Sequence, residues 1–430
     1  MYTTFSCLFG RLMIVLGLCQ ALACQTASPP QSTSLASSVS NEILLEANRL
    51  TYTIAYEHDQ FYTFIGVRAL SMTHLAIHNA LNSIDPQYAC YAFDEKETGA
   101  DPIAAMSQVT LEILRYVYPD RADTIYQVTQ KWLREIPEGT SKDLGIALGK
   151  HAALEILALR EGDGHEKQGE YTPMTKPGDY QHTPEFDWVW KPDFSFARPF
   201  TLDSVSQFRS PPPPDLASQS YADSYNEVKK FGVKNSLART TDQTHIGHWW
   251  AEFGEHSWNR IGRITAKERQ LPLWEAARMF ALINMNLYDL YLVSFDSKYH
   301  YDSWRPYTAI RDATDDGNAL TTSDPNWEPD MLTPPWPEYP SAHAAVGAGG
   351  AEIVSHIYGT SEITVRMSSV TAPVESSTRT YHNLTHAASD CADSRIWNGF
   401  HFRFATEEGK RQGQKVAQHV IKHALRPIGK

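Results

Sequence analysis

The chain has 430 residues, of which 42% are hydrophobic and 20% are charged, and its formal net charge at pH 7 is −12. A chain of this length can bury a large core or two packed lobes. The acidic balance argues against nucleic acid and against an anionic membrane surface as the main partner. Mean hydropathy is −0.40. No apolar run approaches the roughly 20 residues of a membrane-spanning helix, so we expect no integral membrane segment in the mature chain.

The first two dozen residues have the composition of a secretory signal. Arg11 precedes a short apolar run, LMIVLGLCQALAC, in which the small residues Ala21 and Ala23 suit cleavage by a signal peptidase. We therefore predict a signal peptide over 1–23 and an exported protein that is periplasmic, anchored at the outer membrane or extracellular. Cys24 follows the cleavage pattern directly, so release and a lipid anchor on this cysteine both remain open.

Cysteine usage excludes a disulfide scaffold. After removal of the signal only Cys24, Cys90 and Cys391 remain, which is too few for a disulfide framework, and no CxxC metal site occurs. If Cys24 carries lipid, Cys90 and Cys391 are left as one potential pair, and the sequence does not decide whether they bond.

The rest of the chain has the pattern of a mainly α protein. Apolar residues recur at helical spacing in long stretches, and no useful alternating strand pattern occurs. We predict a helical bundle with two packed helical lobes and a wrapping segment rich in proline and aromatic residues. The predicted divisions are a flexible tether at 24–40 and a single domain at 41–430, with an N-terminal lobe at about 41–161, a wrap segment at 162–215 and a C-terminal active-site lobe at about 216–430.

The wrap segment differs in composition from the lobes on either side. It holds nine of the 25 prolines together with the aromatic stretch EFDWVWKPDFSFARPF. A long segment without regular structure inside a domain is typical of a lid, a wrapping segment or a linker. The aromatic residues argue against a solvated linker. We expect this segment to lie over the helices and to form part of a pocket wall.

The first cluster of candidate site residues is KYHYDSWRP, which contains Lys298 and Arg305. Seven residues are close to two helical turns, so a continuous helix would present both cations on one side. The alternative is a solvated basic face on which Asp296 and Asp302 are the partners of the two cations.

The second cluster is PPWPEYPSAHAAVGAGGAEIV, where Ser341 and His343 follow a proline-rich approach to a small-residue helix. Proline suits the first turn of a helix. The free N–H groups and the partial positive charge of a helix N-terminus favour an anion there. The segment therefore predicts an oxyanion site with a histidine beside it to move protons. The alternative is a plain helix cap at Ser341.

The third cluster is DSRIWNGFHFRFATEEG, with Arg395 and His401 six residues apart. An ideal helix would separate two such residues by about 120°, and Gly399 between them suggests a helix break. The alternative is an arginine on the surface and a histidine in the core.

Together the three clusters supply the ligands that a tetrahedral or trigonal-bipyramidal oxyanion needs. Guanidinium groups match oxyanion geometry and lysine adds a point charge. One histidine can bond to the central atom while another transfers protons near neutral pH. A competing pair, His382 and His386, has the spacing of zinc ligands but lacks the glutamate of a metalloprotease, so we do not predict a zinc site.

The motifs Lys298-x6-Arg305-Pro306, Pro340-Ser341-Ala342-His343 and Ser394-Arg395-x5-His401 occur in this order. They resemble the three-part signature of the vanadium-dependent haloperoxidases and of the related type 2 phosphatidic acid phosphatase superfamily. The stretches RALSMTHLAIHNALNSI and ARMFALINMNLYDLYLVSF also look like helices of the bacterial haloperoxidase branch. The resemblance covers about residues 42–424 and implies vanadate as the cofactor, in a site that phosphate can also occupy.

The resemblance implies a set of vanadate ligands. His401 would be the axial ligand of vanadium, or the phosphorylated nucleophile in a phosphatase. Lys298, Arg305 and Arg395 would neutralise the equatorial oxygens, and Lys298 would also polarise the bound peroxide.

It also implies roles for the second motif. The Ser341 hydroxyl and the Ala342 backbone N–H would donate hydrogen bonds to the oxyanion. His343 would be the acid–base group. Trp336 falls where haloperoxidases place a side chain that lines the halide approach.

Two positions depart from the family pattern. The usual glycine of the second motif is Ala342, which keeps the N–H group but crowds the approach. The phosphatase signature has an aspartate four residues after the ligand histidine, where this chain has Ala405, so the carboxylate that would orient His401 is unassigned. Glu408, seven residues after His401, is the candidate substitute.

The resemblance implies an enzyme that oxidises halide with hydrogen peroxide to hypohalous acid, which then halogenates a small organic acceptor. One alternative is an exported soluble acid phosphatase with a phosphohistidine intermediate at His401. Another is a non-catalytic oxyanion-binding lipoprotein, which would not need proton transfer by His343. The absence of aspartate at Ala405 and the length of the chain favour the haloperoxidase over the phosphatase.

Overall fold

The computed structural model describes residues 39–59, 64–373 and 376–429. The predicted signal peptide, Cys24 and most of the predicted tether lie outside these residues. The N-terminal part of the described chain is formed by five helices. They are α1 (Glu42–Asp59), α2 (Phe64–Ile84), α3 (Pro102–Val117), α4 (Ala122–Arg134) and α5 (Thr140–Leu159).

The described residues of the C-terminal half form eight further helices and one hairpin. The helices are α6 (Gln219–Phe231), α7 (Thr241–Trp249), α8 (Gly254–Glu268), α9 (Leu273–Tyr301), α10 (Pro306–Arg311), α11 (Ala342–Tyr358), α12 (Leu384–Trp397) and α13 (Arg403–His423). The two strands are β1 (Val365–Ser368) and β2 (Thr378–Tyr381), which pair antiparallel. The mainly α fold class is confirmed.

Helix α9 is the central element of the fold. All but one of its residues from Leu273 to Lys298 are buried, which is the burial expected of a helix that is apolar on every side. It packs against α2 from the N-terminal helices and against α11 and α13 from the C-terminal ones. Burial along α9 continues as far as Lys298, which lies in the interior, whereas His300 near the end of the helix is exposed.

Helices α11 and α13 pack closely because small residues face each other along their contact. A Cβ atom on Gly409 would lie 2.3 Å from the carbonyl oxygen of Ser341, and one on Gly413 would lie 2.2 Å from that of Ala345. Only glycine permits such an approach of two backbones. The contact fixes the first turn of α11, and with it the second motif, against α13.

The predicted wrap segment, 162–215, lies over the helices as expected and contains no α-helix. Trp190 is buried in the main core. Asp289 of α9 accepts hydrogen bonds from the backbone N–H groups of Phe200 (2.7 Å) and Thr201 (2.8 Å). The segment is thus fastened to the central helix by a buried carboxylate.

One detail differs from the sequence expectations. The hairpin of β1 and β2 was not predicted, because strands of four residues are too short to show a clear alternation. The last helical stretch consists of two helices, α12 and α13. They are separated at Gly399, whose φ of 79° lies in the left-handed region that glycine tolerates, so the suggested break at this residue is confirmed.

Two further expectations concern a disulfide bond and a membrane-spanning helix. Cys90 and Cys391 are free thiols, so the potential disulfide between them is absent from the structure. Burial raises the pKa of the Cys391 thiol, which therefore stays protonated. None of the described helices combines the length and apolar character required to cross a bilayer.

Candidate active site

Lys298 and Arg305 meet by a different route from the one that their spacing suggests. Lys298 lies in the last turn of α9, but that helix ends at Tyr301, and Asp302 follows in the left-handed region with a φ of 47°. Arg305 is the residue before α10 and has extended backbone. The predicted shared helix face is therefore wrong, and a chain reversal brings the two cations together instead.

The proline-rich approach to α11 holds both cations through its backbone. The Lys298 Nζ donates hydrogen bonds to the carbonyl oxygens of Pro337 (2.9 Å) and Glu338 (2.8 Å). The Arg305 Nε donates to the carbonyl oxygen of Trp336 (2.8 Å). Because proline restricts the backbone and has no N–H to donate, this segment forms no regular structure and its carbonyl groups are available to side chains.

The alternative of a solvated basic face is wrong. Asp296 accepts two hydrogen bonds from Arg209 instead, at 2.7 and 2.8 Å. Asp302 accepts one from the Tyr171 hydroxyl at 2.7 Å. Lys298 is fully buried and has neither carboxylate as a partner.

Three buried cations, Lys298, Arg305 and Arg395, form no ion pair with any carboxylate of the described residues. Burial is the main reason that the pKa of each arginine falls to about 10 and that of Lys298 falls well below its usual range. Repulsion from Arg305 adds to the effect at Lys298 and Arg395, whereas the charge of Glu338 opposes it at Lys298 and Arg305. Burying unpaired charge is costly, so this grouping indicates a site for an anion.

His401 presents one unprotonated nitrogen, Nε2, whose lone pair accepts a hydrogen bond from Arg305. Its Nδ1 lies 2.8 Å from Oε1 of Glu338, and its Nε2 lies 3.2 Å from Nη1 of Arg305. A guanidinium group can only donate, so Nε2 must accept and the proton resides on Nδ1. Burial, followed by the charges of Arg305 and Lys298, lowers the pKa of His401 well below its usual range. The imidazole is therefore neutral, and its Nε2 could ligate a central atom in place of the hydrogen bond from Arg305.

Glu338 is the carboxylate that the sequence left unassigned, and the suggestion of Glu408 is wrong. Glu408 forms an ion pair with Nε of Arg411 at 2.8 Å. Glu338 is fully buried, and its Oε1 also accepts from the Phe402 N–H at 3.0 Å. Burial is the main reason that the pKa of Glu338 rises to about 7, and nearby Lys298 opposes the rise. The available signal was a lone carboxylate inside the proline-rich approach.

The start of α11 combines a cap with a candidate hydrogen-bond donor. The Ser341 Oγ accepts from the Ala344 N–H at 3.3 Å, so the capping role is present. Its hydroxyl proton remains available for donation. Pro340 precedes this cap and does not lie in the first turn, contrary to expectation. Ala342 is the first residue of the helix, where N–H groups have no partner within the helix.

His343 is held by the loop that follows α7. Its Nε2 donates a hydrogen bond to the carbonyl oxygen of Trp250 at 2.8 Å. A carbonyl oxygen can only accept, so the lone pair is on Nδ1. Burial and the charge of Arg395 lower the pKa of His343 well below its usual range. The neutral ring can therefore accept a proton.

The second and third motifs open onto one cavity of about 1010 Å³. Its wall includes Trp336, Ala342, His343, Arg395 and His401, but neither Lys298 nor Arg305 of the first motif. Lys298, Arg305 and Ser341 are fully buried. Trp336 thus stands in the cavity wall, as its predicted place beside the halide approach requires, and Phe186 of the wrap segment lines the same cavity.

The competing histidine pair has ordinary partners. His386 lies 3.5 Å from Asp390, and His382 lies 3.1 Å from the Thr364 hydroxyl. No group of three or more potential metal ligands occurs in the part of the chain that the structure describes.

Comparison with known proteins agrees with the resemblance that the three motifs carry. Residues 278–430, which contain all three motifs, match the family model of the VCPO second helical-bundle domain. The chain is 26% identical over 397 residues to the vanadium chloroperoxidase of Curvularia inaequalis. The resemblance to the vanadium haloperoxidases is confirmed. The match covers 74% of this chain and spans 64% of the length of that chloroperoxidase.

Solved vanadium haloperoxidases share the fold. A bacterial vanadium-dependent iodoperoxidase superimposes with a TM-score of 0.78 at 22% identity, covering 91% of this chain and 98% of that one. A holo-type bacterial vanadium-dependent chloroperoxidase gives a TM-score of 0.68 at 15% identity, with 83% and 90% covered. The helical haloperoxidase architecture therefore extends over nearly the whole described chain.

The contact between Glu338 and His401 leads to a specific prediction. We expect Glu338→Gln to weaken vanadate binding by about 10- to 100-fold, because the carboxylate fixes the tautomer and orientation of His401. Isothermal titration calorimetry with vanadate measures this directly. The matched control is Glu408→Gln, the substitution at the position favoured by the sequence, which should bind vanadate like the wild type. Equal affinities for the two variants would contradict this role of Glu338.

Proposed function

We propose that this chain is a vanadate-dependent haloperoxidase, which oxidises halide with hydrogen peroxide to hypohalous acid. The observation that carries the proposal is the set of three buried cations around a neutral histidine, none of which forms an ion pair with a carboxylate of the described residues. Arg305 contacts His401 directly, and the charges of Lys298 and Arg395 act on the same ring.

The residues present fit vanadate. Nη2 of Arg305 and both Nε and Nη1 of Arg395 are buried and have no hydrogen-bond partner among the described residues. Buried polar atoms are normally hydrogen-bonded, so these donors call for an anion with several oxygen atoms. The groups that would hold it are Lys298, Arg305, Arg395, the hydroxyl of Ser341, the N–H of Ala342 and, at vanadium, Nε2 of His401.

Bound vanadate would supply a Lewis-acidic centre that activates hydrogen peroxide towards halide. The residues of the chain supply the rest of the chemistry. Nδ1 of His343 accepts a proton from the peroxide, and Nζ of Lys298 donates a hydrogen bond that polarises it. In balance, hydrogen peroxide, halide and one proton give hypohalous acid and water.

The relatives of this chain support the haloperoxidase over the phosphatase alternative, because their names are those of a chloroperoxidase and an iodoperoxidase. A phosphohistidine at His401 would use the same cations, so the two activities must be separated by experiment. The N-terminal sequence supports the further proposal that the protein is exported, and either released or anchored through lipid on Cys24.

The test is halogenation of a dimedone-type acceptor by purified residues 24–430. Peroxide is supplied with iodide, bromide or chloride, with and without vanadate. We expect vanadate to raise the rate about tenfold or more, with iodide the most readily oxidised halide. Hydrolysis of p-nitrophenyl phosphate is measured on the same preparation. Phosphate hydrolysis that vanadate inhibits, without halogenation, would assign the chain to the phosphatases. Vanadate binding without either activity would favour the non-catalytic binder.

A further inference from the structure

The cavity in front of the anion site is much larger than halide and peroxide require. Its volume is about 1010 Å³. A water molecule occupies about 30 Å³ in the liquid, and the small reactants are of comparable scale. Pockets for drug-sized organic ligands measure about 300–1,000 Å³. The cavity therefore has room for an organic molecule beside the small reactants.

A row of three stacked rings lines this cavity. Tyr56 is 47% exposed and its ring stacks on that of Tyr52 at 6.0 Å, with 25° between the planes. Tyr52 is 7% exposed and stacks in turn on His256 at 4.3 Å and 12°. All three rings belong to the cavity wall. Their edges and neighbouring apolar side chains favour a flat, aromatic ligand.

The charges along the cavity indicate that this ligand is neutral. Glu57 and Arg121 at the wall pair with each other at 3.4 Å. Glu252 is paired with Arg260, which compensates its charge. Arg395 belongs to the anion site, where bound vanadate would neutralise it. No charge in the wall is therefore left over for an ionic ligand.

His256 offers a polar contact within this aromatic row. Its Nδ1 is buried and has no hydrogen-bond partner in the described structure, and its polar neighbour is Oε2 of Glu252 at 3.7 Å. Burial lowers the pKa of His256 to about 3, so the ring is neutral and can both donate and accept. A few placed polar groups in an apolar pocket are the usual means of orienting a ligand.

We propose that this cavity binds the organic acceptor, a neutral aromatic of the phenol class, and that halogenation takes place inside it. The inference rests on the proposed function, which supplies the oxidant. Halide, peroxide and a proton give hypohalous acid and water. The arene carbon then forms a bond to the halogen and loses its proton. That proton combines with the hydroxide of hypohalous acid and leaves as water. The carbon is oxidised by two electrons as the halogen returns to its halide level.

The first test compares two acceptors on the wild-type protein with vanadate, peroxide and bromide. One is a small phenol and the other is the same phenol attached to a polymer too large to enter the cavity. Reagent hypobromite gives the reference ratio for reaction in bulk solution. We expect the enzyme to favour the small phenol about tenfold more than the reagent does. Equal ratios would overturn the proposal.

The second test uses His256→Phe, which keeps a ring against Tyr52 but removes the nitrogen atoms. We expect the KM for the small phenol to rise about tenfold, which is the loss of one hydrogen bond. The matched control is His151→Phe on α5, outside the cavity wall, with an unchanged KM. An unchanged KM in His256→Phe would overturn the orienting role.

Triiodide formation without an organic acceptor is measured on every preparation, and phenol rates are expressed relative to it. This measurement separates the proposed acceptor site from the proposed function. Triiodide formation with equal acceptor ratios overturns only the acceptor site. Absence of triiodide formation in the vanadate-loaded wild type overturns the proposed function, and the acceptor site with it.

Discussion

Replacing His401 with alanine is expected to reduce vanadate-dependent halide oxidation by more than about a thousandfold and to weaken vanadate binding strongly. The reason is the tautomer of His401. Its Nδ1 is protonated and donates to Glu338, so Nε2 carries the lone pair that would ligate vanadium. Arg305 and the other cations can still attract an anion without this ring, but no remaining side chain supplies the nitrogen ligand. Calorimetric titration and triiodide formation together measure both losses.

The matched control for this substitution is His382→Ala. His382 is exposed and was half of the competing zinc-like pair, so its removal should change neither vanadate affinity nor rate. Thermal unfolding of both variants establishes that they are folded. A His401→Ala variant that retained the wild-type rate would contradict the assignment of this histidine, whatever the activity of the control.

The site residues could be selected from the sequence because oxyanion chemistry restricts the residue types. Lys298, Arg305, Arg395 and His401 were chosen by type and spacing within short motifs, and the structure brings them together. Each motif lies on one local element or one turn, so its residue spacing can be recognised in the sequence. Their individual roles as ligands remain predictions until vanadate binding is measured.

The contacts between motifs could not be predicted in the same way. Helical periodicity assumes that a helix continues, and the left-handed residue Asp302 ends α9 before Arg305 is reached. The hydrogen bond from His401 to Glu338 spans 63 residues of sequence, so no local pattern reveals it. The local candidate, Glu408, lies on α13 and turns to Arg411 instead.

The fold class was easier to predict than its details. Long stretches with helical spacing, such as α9, identify a mainly α protein because burial dominates their composition. The close approach of α11 to α13 depends on Gly409 and Gly413 matching the backbone of a helix that begins about 70 residues earlier, and this match is a tertiary property. Short strands such as those of the hairpin carry too few residues to stand out.

Replacing His343 with alanine should separate binding from catalysis. The ring is outside the set of cations that attract vanadate, so we expect vanadate affinity to change by no more than a few-fold. The turnover number should fall about 10²- to 10⁴-fold, which is the usual contribution of a positioned acid–base group. Calorimetry with vanadate and initial rates at saturating peroxide and iodide give the two values independently.

The structure explains why this loss should appear in turnover. The Trp250 carbonyl holds the proton on Nε2 of His343, so Nδ1 is a base without any further rearrangement. The pH dependence of the rate supplies the sharper measurement, because protonation of Nδ1 at low pH should produce an acid limb in the wild type that His343→Ala lacks. Unchanged turnover with an unchanged acid limb would mean that peroxide loses its proton elsewhere. A turnover loss explained entirely by weaker vanadate binding would make His343 a binding group. The assignment of His343 as an acid–base group, which distinguishes an enzyme from an oxyanion binder, would then be wrong.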